Sequence, residues 1–423
     1  MNPAEQIHDV IVIGAGPAGC VAGSYAAKSG LNTLILERES FPRFAIGESL
    51  LPYGNAILKE LGVWSEMERL GFVKKFGADF STGKSERSHR FWFRKALGDE
   101  HEHTYQVERA TFDALLLDTA RKHGCAAREG VSVTFVRQSK RDFVELDCKV
   151  GSVNETFRAK WVVDAGGRRG IAGTALGIPK RRTRKRRMVA IYGHFRNVHR
   201  DCGEAAGNTV IVRIKEGWFW LIPLADGITS VGAVVPPEVL RGHAGDLDKA
   251  FDCCVEQNPE LQSRLVKAEK TMPLRATADY SWRFKTFAKD RVLLAGDAAG
   301  FVDPIFSSGV MLAMKSGQLA ASQIVAASQS GRALKLGECA RYTRRVAGWM
   351  KLYGRVIQSF YERSGFEILM HPVPVLQIPK SIGYLVGGRL ELSLADHVRI
   401  AGFRFVCLMQ RVLNIAPSIP SLR

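Results

Sequence analysis

Three groups of residues have types and spacings that suit chemistry. The first is Gly14-Ala15-Gly16-Pro17-Ala18-Gly19, with a carboxylate downstream at Glu37. Glycines in that order suit a tight turn, a close approach of backbone to a pyrophosphate, and close helix–strand packing. An acid roughly 20 residues on suits ribose hydroxyls. Gly14, Gly16, Pro17, Ala18, Gly19, Glu37 and the adjoining Arg38 are therefore candidate dinucleotide-binding residues. The second group is Gly217-Trp218-Phe219-Trp220-Leu221-Ile222-Pro223. At strand period the indoles of Trp218 and Trp220 share one face and make a wall, and Pro223 stops or edges the strand. The alternative is a core strand in which the tryptophans only pack.

The third group is polar and sits at element ends. Residues 71–80 alternate like a strand, which sends Lys74 and Lys75 to opposite faces. Lys75 then neighbours the side-chain-free Gly77, leaving room for a pocket; a solvated surface lysine is the alternative. Ser49 either caps a helix expected over residues 50–61 or lines the edge of a flavin ring. Arg109 stands at a strand-to-helix junction, where it meets a phosphate or ribose or pairs with Asp113 at the surface. Asp297 follows an apolar run and suits either ribitol hydroxyls or a helix N-cap. Ser308, Gly309 and Val310 open a helix with successive amides, an anion-binding end suited to a halide or a flavin carbonyl oxygen.

Positioning these groups requires a particular frame. Residues 9–13 read as a strand, 20–29 as a helix and 31–36 as the next strand, the βαβ setting that a nucleotide turn needs. Residues 161–167 form a further buried strand expected beside the first. Strands are expected in 81–103, 131–157 and 189–235, and helices over 114–122 and 246–265. From residue 342 onward Val346, Trp349, Met350, Tyr353, Val356, Ile357 and Phe360 fall at steps of three and four, the period of a core-facing helix. The expected division is a discontinuous nucleotide-binding domain (1–80, 104–180 and 285–335), a β-sheet substrate domain (81–103 and 181–284) and a helical region (336–423).

Composition bounds the partners. The 423 residues are 46% hydrophobic, without an apolar run of the ~20 residues that span a bilayer. The polar first nine residues do not resemble a secretion signal, so a cytoplasmic location is expected. The 8 cysteines are scattered with no Cys-x-x-Cys, which argues against a disulfide frame or a zinc site. The net charge is +18, partly from the basic run at 180–187. That run has no aromatic residue to stack on a base, so nucleic acid is not expected. An acidic carrier protein fits the charge better. The tail over 390–423 mixes apolar and basic residues; a helix docked on the body is expected rather than one lying on a membrane surface.

Taken together, the motifs resemble the flavin-dependent halogenases over roughly residues 9–321. Gly14 to Gly19 is similar to their FAD fingerprint, and Trp218-x-Trp220-x-Ile222-Pro223 to their WxWxIP string. Phe301-x-x-Pro304-x-x-Ser307-x-Gly309 is similar to their second signature, and Lys75 falls at their catalytic lysine. The resemblance implies an α/β fold: a Rossmann-like FAD-binding domain of the p-hydroxybenzoate hydroxylase type (GR2), interleaved with a β-sheet substrate domain and followed by a helical C-terminal region. It implies FAD, reduced by a separate flavin reductase, and a chloride or bromide ion held near Ser308 and Gly309. Through a flavin C4a-hydroperoxide and hypohalous acid, Lys75 would halogenate an electron-rich aromatic. Trp218, Trp220, Pro223, Pro304 and Phe306 would partition substrate from flavin. Tryptophan halogenases carry a glutamate where this chain has Phe306, which points to phenol or pyrrole substrates, free or tethered to a carrier protein. An aromatic hydroxylase or a geranylgeranyl-type reductase on the same frame is the enzymatic alternative, and a flavin-binding scaffold the non-enzymatic one.

Overall fold

The computed structural model describes residues 6–83, 88–139, 142–183, 187–278, 282–371 and 378–419. Val10, Ile11, Val12 and Ile13 are buried in the strand Ile7–Ile13. Pro17 opens the helix Pro17–Lys28, where its missing N–H would have been unpaired anyway. Thr33–Leu36 follows as the second strand. This unit is the middle of an eight-stranded sheet. Val153–Asp164 lies parallel to the first strand, with Val10 opposite Trp161, and Val292–Leu294 lies parallel beyond it. Thr33–Leu36 and then Ala126–Arg128 extend the other side. Parallel strands covered on both faces need unbroken apolar runs, which is what these sequences supply. Val131–Gln138 and Val144–Val150 add an antiparallel extension, as the meander over 131–157 requires.

A second eight-stranded sheet carries the tryptophans. Trp218–Pro223 lies between Thr209–Arg213 and Thr229–Val235. The two-residue period sorts its side chains between two cores. Trp218, Trp220 and Ile222 join the main core, whereas Phe219 and Leu221 enter a smaller one with Phe195 and Phe251.

Several local expectations need correction. The strand expected over 71–80 is two strands. Val73–Lys75 pairs with Thr104–Gln106 in a separate ribbon, and Gly77–Ser81 belongs to the second sheet. The chain crosses between them at Phe76, so a domain boundary at residue 80 falls inside a strand. Gly77 does not open a pocket either: a Cβ there would stand 2.1 Å from the Phe91 carbonyl oxygen, so its role is close strand approach. The helix expected over 50–61 is a 3-10 turn, Pro52–Gly54, followed by Asn55–Glu60, and Ser49 caps neither. Within 81–103 the strand is Ser88–Trp92, and Phe93–Leu97 is helical.

The C-terminal periodicity yields the helices Leu336–Tyr361, Arg363–Met370, Ile378–Val386 and Leu394–Leu413. Among the described residues no helix is long and apolar enough to cross a membrane. Of the basic run, Lys180–Arg182 pairs with Trp282–Phe284, while residues 184–186 lie outside the described residues.

Candidate active site

A cavity of about 880 Å³ runs between the two sheets, and most of the candidate residues line it. Gly14, Gly16, Pro17, Ala18, Glu37 and Arg38 are in its wall, with Ser49, Arg109, Asp297, Trp218, Trp220, Pro304 and Gly309. The nucleotide turn has the conformation that its glycines permit. Gly14 sits at φ 92°, and a Cβ there would meet the Ala165 carbonyl oxygen at 2.7 Å. No side chain caps the helix Pro17–Lys28, which leaves its N-terminal amides for an anion. Glu37 is buried; its carboxylate accepts the Ala15 amide at 2.7 Å and the Glu39 amide at 3.0 Å. Each oxygen keeps a further lone pair for a ribose hydroxyl. Cavity, turn and acid together fit FAD.

Arg109 keeps its pairing with Asp113, at 2.7 and 2.8 Å, but the pair is buried rather than at the surface. Its third bond, to the Ile46 carbonyl at 2.7 Å, braces the turn at Gly47. Arg38 pairs with Glu39 at 2.9 Å and is half exposed. Burial raises the Asp297 carboxyl to about 6, against the opposing pull of the Arg168 and Arg109 guanidinium groups.

The two neighbouring lysines have opposite fates. Lys74 is in solvent and pairs with Glu68 at 3.5 Å. Lys75 is 1% exposed; its ammonium donates to Ser49 Oγ at 2.8 Å and to the Leu50 carbonyl at 3.1 Å. Burial lowers its pKa to about 7, because desolvation disfavours the charged form. Lys75 is not itself in the cavity wall, but Ser49 and Thr209 are, and their hydroxyls lie 2.9 Å apart. The amine therefore stands one hydroxyl behind the cavity.

The indole wall is held from behind. Trp218 and Trp220 are buried, with ring centroids 5.9 Å apart. Trp220 Nε1 donates to Ser230 Oγ at 3.1 Å, and its ring covers Gly232, where a Cβ would be 2.2 Å from Cζ2. Trp218 Nε1 donates to Tyr361 Oη at 2.7 Å, and Tyr361 Oη donates to Asp303 at 3.0 Å. Asp303 in turn accepts the Ile305 amide at 3.2 Å. Pro223 ends the strand opposite Thr229, outside the cavity wall.

Asp303 caps the short turn Pro304–Phe306, Ser307 takes the left-handed conformation at φ 54°, and the helix Gly309–Ser328 begins. Gly309 faces open space: nothing lies within 4 Å of a Cβ placed there. The Ser308 hydroxyl is buried and lacks a partner among the described residues, although its side chain is not in the cavity wall. Phe306 is buried against Phe80 and Phe360, also outside that wall.

Sequence reasoning missed Thr209, Asp303 and Tyr361. Asp303 had a local signal, because an acid before proline commonly caps a turn. Tyr361 had none: it reaches Trp218 across 143 residues of chain. The pair of Glu48 with His194 Nε2, at 2.6 Å, also joins segments that no local pattern connects.

A family model described as FAD binding domain matches residues 8–345. The chain is 33% identical over 346 residues to the 1H-pyrrole-2-carbonyl-[peptidyl-carrier protein] chlorinase of Pseudomonas fluorescens, covering 77% of each protein. It is 34% identical over 326 residues to the corresponding brominase of Pseudoalteromonas luteoviolacea, covering 75% of this chain and 77% of that one. Among solved structures, the flavin-dependent brominase Bmp2 superposes with a TM-score of 0.86 at 29% identity, over 96% of this chain and 99% of Bmp2. The myxobacterial chondrochloren halogenase CndH superposes with a TM-score of 0.76 at 31% identity, over 99% of both chains.

Proposed function

The chain belongs to the flavin-dependent halogenases, and from that premise we propose that it places chlorine or bromine on a pyrrole presented by an acidic peptidyl carrier protein. The observation that carries this reading is the buried Lys75 amine, one Ser49 hydroxyl behind the cavity wall. Two of the relatives act on a carrier-bound pyrrole. The excess of 60 Lys and Arg over 42 Asp and Glu favours an acidic partner. A phenol is the second reading; Phe306, in place of a carboxylate that could pair with an indole N–H, suits either ring.

Bound in its reduced form, FAD supplies the electrons for the oxygen activation that turns a halide ion into an electrophilic halogen. The chain's own residues do the rest. The nucleotide turn, Glu37, Arg109 and Asp297 hold the cofactor. The amide end at Ser308 and Gly309 holds the halide, aided by the helix dipole. Lys75 receives the electrophile as hypohalous acid: its ammonium donates a hydrogen bond to it, or its free amine takes the halogen as the oxygen–halogen bond breaks and the hydroxide leaves with an amine proton as water. Ser49 and Thr209 fix the direction of that amine. Trp218 and Trp220 keep the ring away from the flavin and so suppress hydroxylation. In this division the parallel sheet serves the cofactor and the tryptophan sheet serves the substrate. A separate flavin reductase delivers the reduced cofactor in the cytoplasm.

The direct test supplies reduced FAD, oxygen and either pyrrolyl-carrier protein, free pyrrole-2-carboxylate or simple phenols, with and without bromide. Halogenated pyrrolyl-carrier is expected as the main product, by mass spectrometry. A hydroxylated product that forms equally without halide would overturn the halogenase chemistry; turnover of free phenols alone would overturn the carrier assignment.

Tyr361→Phe keeps the ring and removes the hydroxyl between Trp218 and Asp303. A lost hydrogen bond of this kind costs about 1–2 kcal/mol. The expected result is a variant that still folds but yields several-fold less halogenated product per FADH2 oxidised, because an unanchored indole no longer seals the partition. Unchanged coupling would show that the hydroxyl serves stability alone.

A further inference from the structure

The helix Leu394–Leu413 has two apolar faces, and the protein covers one of them. Ile400, Phe403 and Cys407 are buried against the body, together with the polar Asp396 and Gln410. On the opposite side Val398, Phe405, Leu408 and Val412 are 61, 62, 53 and 73% exposed. With Leu394 and Ala401 they advance in alternating steps of four and three. A second apolar stripe left open on a surface helix marks an interaction site. The helix also lies beyond the match to the FAD-binding family model, which ends at residue 345.

The spacing and the flanking charge narrow the occupant. A strict three-and-four alternation is the seam of a coiled coil, narrower than the face a helix lays on a lipid surface. On one side of the seam His397, Arg404 and Arg411 recur every seven residues, all exposed. On the other side Ala395 and Gly402 are small, so a second helix can approach closely. Arg411 already pairs with Glu362 at 2.9 Å and leaves its side chain 53% exposed; no ion pair engages Arg404 among the described residues. Two copies of this helix packed antiparallel would set the basic rows against each other. Packed parallel, they would set His397 against Gly402 and Arg404 against Met409, and neither arrangement pairs the charge. We infer that the outward face of Leu394–Leu413 docks an amphipathic helix of a partner protein, one with an apolar seam flanked by aspartate or glutamate. Seam burial supplies affinity, and the basic row selects the partner and its direction, as flanking charges do in coiled coils.

The test uses the full FAD-loaded protein and two synthetic three-heptad helical peptides with leucine seams, one flanked by glutamate and the other by lysine. By fluorescence anisotropy the glutamate peptide is expected to bind at least about tenfold tighter than its lysine twin. Phe405→Glu with Leu408→Glu should abolish binding, and Arg404→Glu should invert the preference between the peptides. FAD binding and the melting temperature should stay unchanged in both variants. Equal affinity for the two peptides, or none for either, would overturn the assignment. So would a wild-type dimer in sedimentation equilibrium that Phe405→Glu dissociates, since the face would then cover a second copy. Co-sedimentation with phosphatidylglycerol vesicles that the same substitution abolishes, without peptide binding, would assign the face to lipid instead.

Discussion

Lys75→Met is expected to lower halogenation by about a thousandfold or more while leaving FAD affinity within about twofold. Among the described residues, the amine is the nucleophilic nitrogen bonded to Ser49, and the neighbouring Lys74 points into solvent. Methionine fills nearly the same volume with an unbranched, adaptable side chain. Ser49 Oγ keeps its Thr209 partner at 2.9 Å, so the substitution strands the Leu50 carbonyl and little else. It also removes a charge that burial disfavours, so the fold should not suffer. The sign of the pH effect follows from the same burial. The amine titrates near 7 in the folded chain against 10.5 for an ordinary lysine. Between those values the unfolded chain binds more protons, so the wild-type protein gains stability as pH rises through that window. Lys75→Met should flatten that rise. If the free amine takes up the halogen, halogenation by the wild type climbs through pH 7 with a one-proton slope and then levels. If the ammonium acts as a donor, it falls over the same range. Near wild-type turnover by a Lys75→Met protein that binds FAD would remove this residue from the chemistry.

What the sequence made legible was local or periodic. The βαβ unit around Gly14–Gly19 declares itself because strand, turn, helix and acid are consecutive. The indole wall was legible for a similar reason: a two-residue period decides facing without knowledge of the neighbouring strands, and it placed Trp218, Trp220 and Ile222 together. The failures are places where the decisive partner is remote. Residues 71–80 alternate well, yet Phe76 marks a change of sheet, because Val73–Lys75 pairs with Thr104–Gln106 and Gly77–Ser81 with Thr209–Arg213. Ser49 looked like a cap, but its hydroxyl is committed to Lys75 and Thr209. Gly77 looked like room for a pocket, and the room is filled by a backbone carbonyl of the next strand. Phe306 was expected in the partition and instead packs with Phe360, from a helix whose register no signature string reports. The helix Leu394–Leu413 was expected to dock on the body, and it does, but the period that predicts one buried face cannot say that the opposite face would also be apolar and open.

Gly19→Ala is expected to weaken FAD binding by about a hundredfold, although it adds one methyl group and improves helix propensity. A Cβ at residue 19 would stand 1.9 Å from the Gly14 carbonyl oxygen and 3.2 Å from Val12 Cγ1. The helix Pro17–Lys28 cannot retreat to make room. Behind it the helix Gly309–Ser328 rests directly on Ala18, where a Cβ on Gly317 would be 2.3 Å from the Ala18 carbonyl oxygen. Further along, a Cβ on Gly23 would be 2.9 Å from Ile35 Cδ1. With the helix pinned on both sides, the displacement falls on residues 14–16, the turn that must hold its amides against the pyrophosphate. Overpacking of this kind costs about 1–3 kcal/mol. If most of about 3 kcal/mol is expressed in the bound geometry, affinity falls roughly a hundredfold. The comparison that isolates the cause is Gly348→Ala, in the exposed face of Leu336–Tyr361, where nothing lies within 4 Å of the added carbon. That substitution should stabilise the protein by about 0.5–1 kcal/mol through helix propensity and leave the cofactor untouched. Titration of both apoproteins with FAD, followed by flavin fluorescence, separates the two effects. If Gly19→Ala bound FAD as tightly as Gly348→Ala, the cradle would tolerate displacement, and the turn at Gly14 would have to hold the cofactor by some means other than close backbone approach.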